Sequence, residues 1–249
     1  MVSFFFCIFA QKNYEMTANV AVVLAGGVDK RLGSALPKQF LEVAGKMVIE
    51  HAVDAFEQHP LIDEIAIVSN AMYISKMEEI VRNNGWKKVR KILKGGKERY
   101  DSSLSAIQAY EHEDVKLIFH DAARPLVTPR IIDDITSALH DHDAVTVALP
   151  SADTIIEVDG DFIENIPDRS RLRRVQTPQA FKIATIRQAY DNALKDPDFK
   201  VTDDCGVVRK YLPDTPIYVV EVAEFNMNLT YKEDTELLET YLRLREQLT

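Results

Sequence analysis

The order of the apolar segments limits the possible folds of this chain more than any other feature of the sequence. Short runs rich in β-branched residues, such as residues 20–24 and 64–70, alternate with longer segments whose apolar residues recur at helical spacing, such as 47–59. The short runs are apolar on both faces, as are the strands of a parallel sheet that helices cover on both sides. The alternation therefore predicts an α/β fold with a doubly wound, mostly parallel sheet.

The alternation is interrupted between residues 150 and 176. This stretch contains two short strand-like pieces on either side of Asp159-Gly160, a dipeptide typical of β-hairpin turns. We expect a β-hairpin arm that projects from the sheet. Helical patterns resume near 182–194, near 203–211 and from about Lys232, without repeats or linker-like segments. Residues 19–249 are therefore expected to form one domain, with the hairpin arm at about 150–176; its role as a dimerisation arm is implied only by the family resemblance given below.

The N-terminal residues 1–18 lie outside this pattern. Their apolar run of about eight residues is too short to span a bilayer and lacks the basic flank of a secretory signal. We interpret the segment as a disordered tail or as the product of a start codon assigned too early, with a cleaved signal as the alternative. The two cysteines, Cys7 and Cys205, have the spacing of neither a disulfide framework nor a zinc site. A cytoplasmic location fits this composition.

The net charge of −9 argues against a nucleic-acid or membrane-surface binder, because phosphate backbones and anionic lipids are held by clustered Lys and Arg. In a chain with this net charge, an anionic ligand can bind only where Lys or Arg side chains are concentrated locally. They occur after the first apolar run, where Gly26 and Gly27 precede Arg31 and Lys38. Glycines let backbone N–H groups approach a phosphate closely, and the cations add charge. The spacing matches neither a Walker A loop nor GxGxxG, so a tight turn with solvated cations is the alternative.

Polar residues also follow other predicted strands. Residues 94–102 read KGGKERYDS, 120–125 read HDAARP, 176–181 read QTPQAF and 202–204 read TDD. Taken alone, each of these segments is typical of an ordinary loop. Ligands in open α/β sheets bind at the edge where the carboxyl ends of the strands meet. We therefore expect the three strand ends that carry the glycine turn, residues 94–102 and residues 120–125 to converge on one site.

Seven motifs, in this order, resemble the cytidylyltransferases that use 2-C-methyl-D-erythritol 4-phosphate or D-ribitol 5-phosphate: LAGG…R…PKQF, GGKERYDS, HDAARP, DTI, DRS…QTPQAF, TDD and N…LT…ED. The resemblance extends from about Val20 to the end and implies a Rossmann-like nucleotidyltransferase fold. It implies transfer of CMP from CTP to a linear polyol phosphate, Mg²⁺ bound with the CTP, and a homodimer. An acceptor phosphate oxygen would attack the α-phosphorus in line, so the protein would position two polyanions and neutralise charge.

The resemblance also implies roles for individual positions. Arg31 and Lys38 match the transition-state cations, and Arg169 and Asn228 match two further catalytic positions. The positions that match CTP-binding residues are Leu24, Ala25, Gly26, Gly27, Gly96, Lys97, Ser102, Asp121 and Ala122. The positions that match acceptor-binding residues are Arg124, Thr154, Arg169, Thr177 and Thr202. In the family, some of these come from the neighbouring subunit's arm. Each of two acceptor assignments has an alternative interpretation. Arg169 could belong to a solvated basic run, and Thr154 could be an ordinary strand residue.

The sequence leaves the acceptor open. The arm segment ENIPDRSRLRR is closer to the ribitol-phosphate branch, whereas HDAARP fits the methylerythritol branch at least as well. We favour D-ribitol 5-phosphate, which would supply CDP-ribitol for a surface polymer, over 2-C-methyl-D-erythritol 4-phosphate of isoprenoid biosynthesis. A non-catalytic nucleotide-binding relative is the alternative of another class. We expect His120 to be packed or hydrogen-bonded, because an ionised phosphate nucleophile has no proton to remove.

Two positions depart from the family's pattern. The phosphate loop usually reads G-G-x-G-x-R, and here Asp29 stands where a glycine is expected. The later motif N-x-K-x-T reads NMNLT, so Asn228 stands where a lysine normally helps to hold the triphosphate. Each change makes the surroundings of a polyanion less positive. We therefore expect an active enzyme with weakened CTP handling.

Overall fold

The computed structural model describes residues 17–27, 36–222, 226–231 and 233–248. The strands in these ranges are β1 (Ala18–Ala25), β2 (Glu42–Val43), β3 (Lys46–Met47), β4 (Glu64–Ser69), β5 (Val89–Lys94), β6 (Val115–Asp121), β7 (Ala144–Pro150), β8 (Glu157–Asp159), β9 (Phe162–Asn165), β10 (Arg173–Lys182) and β11 (Tyr218–Glu221). The α-helices are α1 (Val48–Glu57), α2 (Ile74–Asn84), α3 (Arg99–Ala109), α4 (Pro129–Asp141), α5 (Ile183–Ala193), α6 (Asp204–Tyr211) and α7 (Asp234–Leu248). Residues 1–16 of the expected tail lie outside the described residues.

Seven of the strands form one sheet in the order β11-β7-β10-β6-β1-β4-β5. The pairs β1–β4, β1–β6, β4–β5 and β7–β11 are parallel, whereas β10 runs antiparallel between β6 and β7. Helices cover both faces of the sheet. The predicted doubly wound, mostly parallel α/β fold is therefore confirmed.

Alternate residues of β1 enter two separate apolar layers. Ala21 and Val23 pack in the layer that contains residues of α1, α2 and α4, whereas Val20 and Val22 pack in the layer that contains residues of α3, α5 and α6. Burial of a valine side chain stabilises the fold by roughly 2 kcal/mol. Because both faces of the strand are buried, its sequence is a continuous apolar run rather than an alternating one.

The predicted hairpin arm is present. Strands β8 and β9 pair in antiparallel fashion, and Gly160 in the turn has a φ of 56°, which glycine adopts without a steric penalty. All side chains of the two strands are exposed. The arm leaves the sheet after Pro150 and returns at Arg173, which is the pairing partner of Pro150. It is therefore an excursion between two neighbouring strands.

Strand β10 was not predicted as a strand. It contains Pro178, and proline is unusual in a central strand because it has no N–H to donate. The pairing of β10 with β7 shifts register between Val175 and Gln179, which is where the proline lies. The irregularity accommodates Pro178 and brings the segment QTPQAF into the middle of the sheet.

Candidate active site

The carboxyl ends of four neighbouring strands, β6, β1, β4 and β5, meet at one edge of the sheet. The pairing register sets Leu24 beside Asp121, Ala25 beside Ser69, and Ser69 beside Lys94. A cavity of about 710 Å³ opens at this edge, and we call it the nucleotide cavity. The expected convergence of the glycine turn, KGGKERYDS and HDAARP is therefore present in the fold.

The nucleotide cavity collects the residues that the sequence assigned to CTP. All nine of them line it: Leu24, Ala25, Gly26, Gly27, Gly96, Lys97, Ser102, Asp121 and Ala122. Lys38 and Asn228 line it as well. Sequence reasoning did not single out the remaining lining residues, which are Gln39, Asn70, Ala71, Lys94, Gly95, Glu98, Arg99 and Ala123.

Glycines form one wall of the nucleotide cavity because two loops approach each other at Ser102. A β-carbon on Gly26 would lie 3.0 Å from Oγ of Ser102, and one on Gly95 would lie 2.6 Å from the same atom. A β-carbon on Gly96 would collide with the first turn of α3. A β-carbon would therefore be crowded at Gly26 and would collide at Gly95 and Gly96, so backbone groups form the wall.

Gln39 holds the backbone of the glycine turn through two hydrogen bonds. Its side chain is buried in the short 3₁₀ helix Lys38–Phe40, and its Nε2 donates to the carbonyl oxygens of Ala25 at 2.7 Å and Gly27 at 3.2 Å. The motif PKQF therefore contributes in two ways. It holds the backbone of the turn through Gln39, and it places Lys38 at the cavity.

Lys38 meets Asn228 at the edge of the nucleotide cavity. The Nζ of Lys38 donates to Oδ1 of Asn228 at 3.2 Å, although the two residues are 190 positions apart. The N–H of Leu229 donates to the carbonyl of Ala123 at 2.8 Å, and Leu229 is buried against α7, so the segment that carries Asn228 is held in place. The residue that replaces the family's lysine thus contacts a cation that the sequence assigned to catalysis.

A network of opposite charges lies beside the nucleotide cavity. Arg99 donates from Nη1 to Oδ2 of Asp204 at 2.6 Å, and its Nε lies 3.5 Å from Oδ1 of Asp121. Arg124 donates from Nε to Oδ2 of Asp121 at 3.3 Å. Asp204 is completely buried, and the hydroxyl of Tyr190 donates to its Oδ1 at 2.7 Å. Hydrogen bonds and ion pairs thus compensate the cost of burying this charge.

The arginines keep Asp121 ionised. Burial by itself raises the pKa of Asp121, but the positive charges of Arg99 and Arg124 outweigh it and hold the pKa below the ordinary value. Burial lowers the pKa of Arg99, whereas Asp204 and Asp121 raise it to a net increase. A carboxylate held between two guanidinium groups therefore lies at the cavity at neutral pH. Sequence reasoning missed Arg99 and Asp204, although the motifs KERYDS and TDD contain them.

His120 is a structural residue, as expected. It is completely buried, and burial lowers its pKa from 6.5 to about 4. Its Nε2 lies 2.9 Å from the carbonyl of Arg124 and its Nδ1 lies 3.2 Å from Oγ1 of Thr177. A neutral ring that donates from Nε2 to the carbonyl accepts at Nδ1, so the Thr177 hydroxyl donates to it. The same Thr177 oxygen accepts the N–H of Asp121 at 3.0 Å.

The five positions assigned to the acceptor lie in different places. Arg124 lines a second cavity of about 290 Å³, which we call the acceptor cavity and which shares Asn228 with the nucleotide cavity. Thr177 is buried behind Asp121. Thr202 lines a separate cavity of about 440 Å³ next to Arg99.

Thr154 and Arg169 are exposed on the arm, where Nη1 of Arg169 donates to the carbonyl of Ala152 at 3.1 Å. Within the described part of the chain, they do not line the nucleotide or acceptor cavity. Arg31 and Asp29 lie outside the described residues. Among the helices that the structure describes, no helix is both long and apolar enough to cross a membrane.

A glycine-walled cavity at the carboxyl edge of a parallel sheet, with a lysine and an arginine-paired aspartate, is typical of α/β enzymes that handle nucleotides. Comparison with known proteins narrows this class. The family model IspD, described as 2-C-methyl-D-erythritol 4-phosphate cytidylyltransferase, matches residues 19–244, and the chain belongs to this family. The members of the family are enzymes, so the chain is identified as a CTP-dependent cytidylyltransferase.

Similar proteins agree with this placement. A 2-C-methyl-D-erythritol 4-phosphate cytidylyltransferase of Thermobifida fusca is 44% identical, over 90% of this chain and 92% of that protein. A bifunctional ribulose 5-phosphate reductase/CDP-ribitol pyrophosphorylase of Haemophilus influenzae is 41% identical, over 93% of this chain and 49% of that protein. The solved 4-diphosphocytidyl-2C-methyl-D-erythritol synthase of Anaerococcus prevotii superposes with a TM-score of 0.81 at 27% identity, over 91% of this chain and 96% of that one.

Proposed function

We propose that the chain transfers CMP from CTP to 2-C-methyl-D-erythritol 4-phosphate and releases pyrophosphate. The observation that carries this proposal is that one cavity contains all nine positions assigned to CTP, in a chain that belongs to the IspD family. The family's description and the 44% identical relative support methylerythritol phosphate as the acceptor. This acceptor replaces D-ribitol 5-phosphate, which the arm sequence favoured.

D-Ribitol 5-phosphate is the second candidate acceptor. Its support is the 41% identical relative, whose name includes CDP-ribitol pyrophosphorylase. The chain covers 49% of that protein's length. Both candidates are short hydroxylated phosphates, so the reaction and the CTP site would be the same for either.

In this proposal, backbone groups and one hydroxyl bind the cytosine. Gly96, Lys97 and Ser102 line the end of the nucleotide cavity where the two loops approach each other. Backbone N–H and C=O groups in such a wall can distinguish the exocyclic amine of cytosine from the carbonyl of uracil. Asp121 and Ala122 would lie near the ribose. The ion pairs of Asp121 with two arginines fix its carboxylate for this contact.

Lys38 is the cation that we propose to act on the reacting phosphates. It lies at the junction of the two cavities because Asn228, its hydrogen-bond partner, lines both of them. An acceptor phosphate that enters the acceptor cavity past Arg124 would meet the α-phosphate of CTP at this junction. Positioned cations that neutralise charge developing on the phosphoryl oxygens are the main source of catalysis in such transfers. Arg31 would be the second cation, on the strength of the family resemblance.

Mg²⁺ is proposed to enter with CTP. Within the described residues, no group of three or more His, Cys, Asp or Glu side chains is arranged to hold a metal ion. Mg²⁺ commonly keeps several waters and binds one or two carboxylates together with substrate phosphates. Both oxygens of Asp121 are paired with arginines, so the triphosphate and water would supply most of the ligands of the ion. Such an ion would neutralise charge on the phosphoryl oxygens.

We also propose that two chains associate through the arm. The arm exposes six large apolar side chains: Ile155, Ile156, Val158, Phe162, Ile163 and Ile166. A cluster of exposed apolar side chains of this kind is typical of an interaction surface. Association through this surface would carry Thr154 and Arg169 to the acceptor cavity of a second copy, which explains why, among the described residues, neither lines the nucleotide or acceptor cavity of its own chain.

Pyrophosphate release tests the reaction. Purified protein is given CTP, Mg²⁺ and either acceptor, and we expect the larger kcat/KM with 2-C-methyl-D-erythritol 4-phosphate. A larger kcat/KM with D-ribitol 5-phosphate would replace the acceptor and leave the reaction class in place. Binding of CTP without turnover of either acceptor would instead favour a non-catalytic nucleotide-binding protein.

Mixing two inactive chains tests the shared site. Arg169→Ala removes the arm's contribution and Lys38→Ala removes the cation at the cavity, so each variant alone should be inactive. In a mixed dimer, one site would combine an intact arm with an intact cavity, and activity should return. Absence of recovery, in a mixture that light scattering shows to be dimeric, would refute the shared site.

A further inference from the structure

The acceptor cavity has a polar side and an apolar side. Its polar lining residues are Arg124, Arg174, Gln176 and Asn228. Its apolar lining residues are Leu149, Val175 and Met227. An unbranched polyol phosphate presents mainly hydroxyls and charge, so the three apolar residues indicate an additional apolar group on the ligand.

The apolar side is built from two elements that the fold holds in place. Leu149 lies near the end of β7 and is the pairing partner of Arg174 on β10, so their side chains are neighbours on one face of the sheet. Met227 comes from the segment that the Leu229 N–H anchors to Ala123, and it packs against the apolar cluster formed with α7. Leu149 and Met227 are both half-buried, which leaves part of each side chain for contact with a ligand.

The polar side has binding capacity that the described chain does not use. Within the described residues, the side chains of Arg174 and Gln176 make no hydrogen bond or ion pair, and Oε1 of Gln176 is buried without a partner. Arg124 donates from Nε to Asp121 and from Nη1 to the carbonyl of Asn226. Two guanidinium groups and an amide therefore face the same small cavity as the apolar residues. A ligand with a phosphate, hydroxyls and one apolar group matches this lining.

We infer that Leu149 and Met227 determine acceptor specificity by packing against the branch methyl of 2-C-methyl-D-erythritol 4-phosphate, an inference that rests on the proposed function. An unbranched polyol phosphate has no methyl to bury there and leaves the apolar wall uncovered. One additional carbon in an apolar pocket typically changes selectivity by about 10- to 200-fold. The inference therefore assigns a role to two residues that make no contact with CTP in the proposed arrangement.

A binding experiment isolates the methyl group. Isothermal titration calorimetry measures the Kd of 2-C-methyl-D-erythritol 4-phosphate and of D-erythritol 4-phosphate, which lacks only the methyl, on enzyme loaded with Mg²⁺ and a non-hydrolysable CTP analogue. The wild-type chain should bind the methylated acceptor about tenfold more tightly or better. Leu149→Asn and Met227→Gln keep the approximate size of each side chain and make it polar. Each should reduce the ratio of the two Kd values to about twofold or less.

Leu194→Asn is the matched control. Leu194 is 56% exposed at the end of α5, so this variant should keep the wild-type ratio. A ratio near one in the wild-type chain, or an unchanged ratio in both cavity variants, would overturn the inference. The ratio of the two Kd values is measured without turnover, so it tests the inference alone. The proposed function is tested by the kinetic assay, and it would be wrong if neither acceptor led to release of pyrophosphate.

Discussion

Replacing Asn228 with lysine tests the charge balance around CTP. A lysine ammonium about 5 Å from one phosphate charge, at an effective dielectric of about 20, is worth roughly 3 kcal/mol before screening. Repulsion from Lys38, whose Nζ lies 3.2 Å from Oδ1 of Asn228, opposes this with a similar magnitude. The triphosphate carries several negative charges, so attraction exceeds repulsion once CTP is bound. Water and Mg²⁺ reduce the net gain to about 1 kcal/mol, which is several-fold in kcat/KM.

The assay is the initial rate of pyrophosphate release against CTP concentration, at saturating acceptor and at two ionic strengths. Asn228→Lys should raise kcat/KM for CTP several-fold at low salt, and the gain should shrink at high salt because screening weakens it. Asn228→Asp has nearly the same shape and the opposite charge, so it should lower kcat/KM by about tenfold.

A control variant separates the local effect from a change in net charge. Asn83 is exposed at the far end of α2, and Asn83→Lys adds the same charge away from the site. It should leave kcat/KM for CTP unchanged within about twofold. A lower kcat/KM for Asn228→Lys, or a gain that Asn83→Lys reproduces, would refute the electrostatic reasoning.

Three further predictions concern the groups around the cavity. Gly95→Ala would set a β-carbon 2.6 Å from Oγ of Ser102 and should raise KM for CTP by about tenfold; relative to Ser102→Ala alone, which lacks that oxygen, the added Gly95→Ala should raise KM by less, and an equal increase in both backgrounds would contradict the proposed clash. Asp204→Asn leaves the half-buried Arg99 without a charged partner on that side, so urea unfolding should show a loss of about 2 kcal/mol in the free energy of unfolding, whereas an unchanged midpoint would show that the pair is not stabilising. His120 has a folded-state pKa lowered from 6.5 to about 4, so its contribution to stability is present above pH 6.5 and is lost as the pH falls toward 4. Urea unfolding at pH 7 and pH 4.5 should show this loss, and His120→Asn should reduce it; an equal pH dependence in the variant would exclude His120 as the cause.

The sequence predicted the features that depend on neighbouring residues. Strand β1 was recognisable because burial on both faces demands a continuous apolar run, and the hairpin was recognisable because the turn needs a residue that accepts positive φ. The glycine turn after β1 was recognisable by the same local reasoning. The nine positions assigned to CTP came from the family resemblance, and all nine lie at one cavity.

Contacts between distant segments were beyond such reasoning. Arg99 and Asp204 are 105 positions apart, and their pairing depends on how α3 and α6 pack on one face of the sheet. Strand β10 was missed because Pro178 argues against a central strand, and the local shift in register that accommodates it depends on β7. Thr154 and Arg169 sit on the exposed arm, and their assignment to the acceptor depends on the proposed association of two chains.

The way in which the arm joins the sheet has a consequence for protein engineering. Pro150 and Arg173 are direct pairing partners, and the N–H of Ser151 donates to the carbonyl of Leu172 at 3.2 Å, so both ends of the arm meet across one rung of a β-ladder. A two-residue turn can close such a gap without altering either strand. Residues 151–172 are thus a removable cassette. They can be excised, exchanged between relatives or replaced by an unrelated binding hairpin while the catalytic sheet keeps its own contacts.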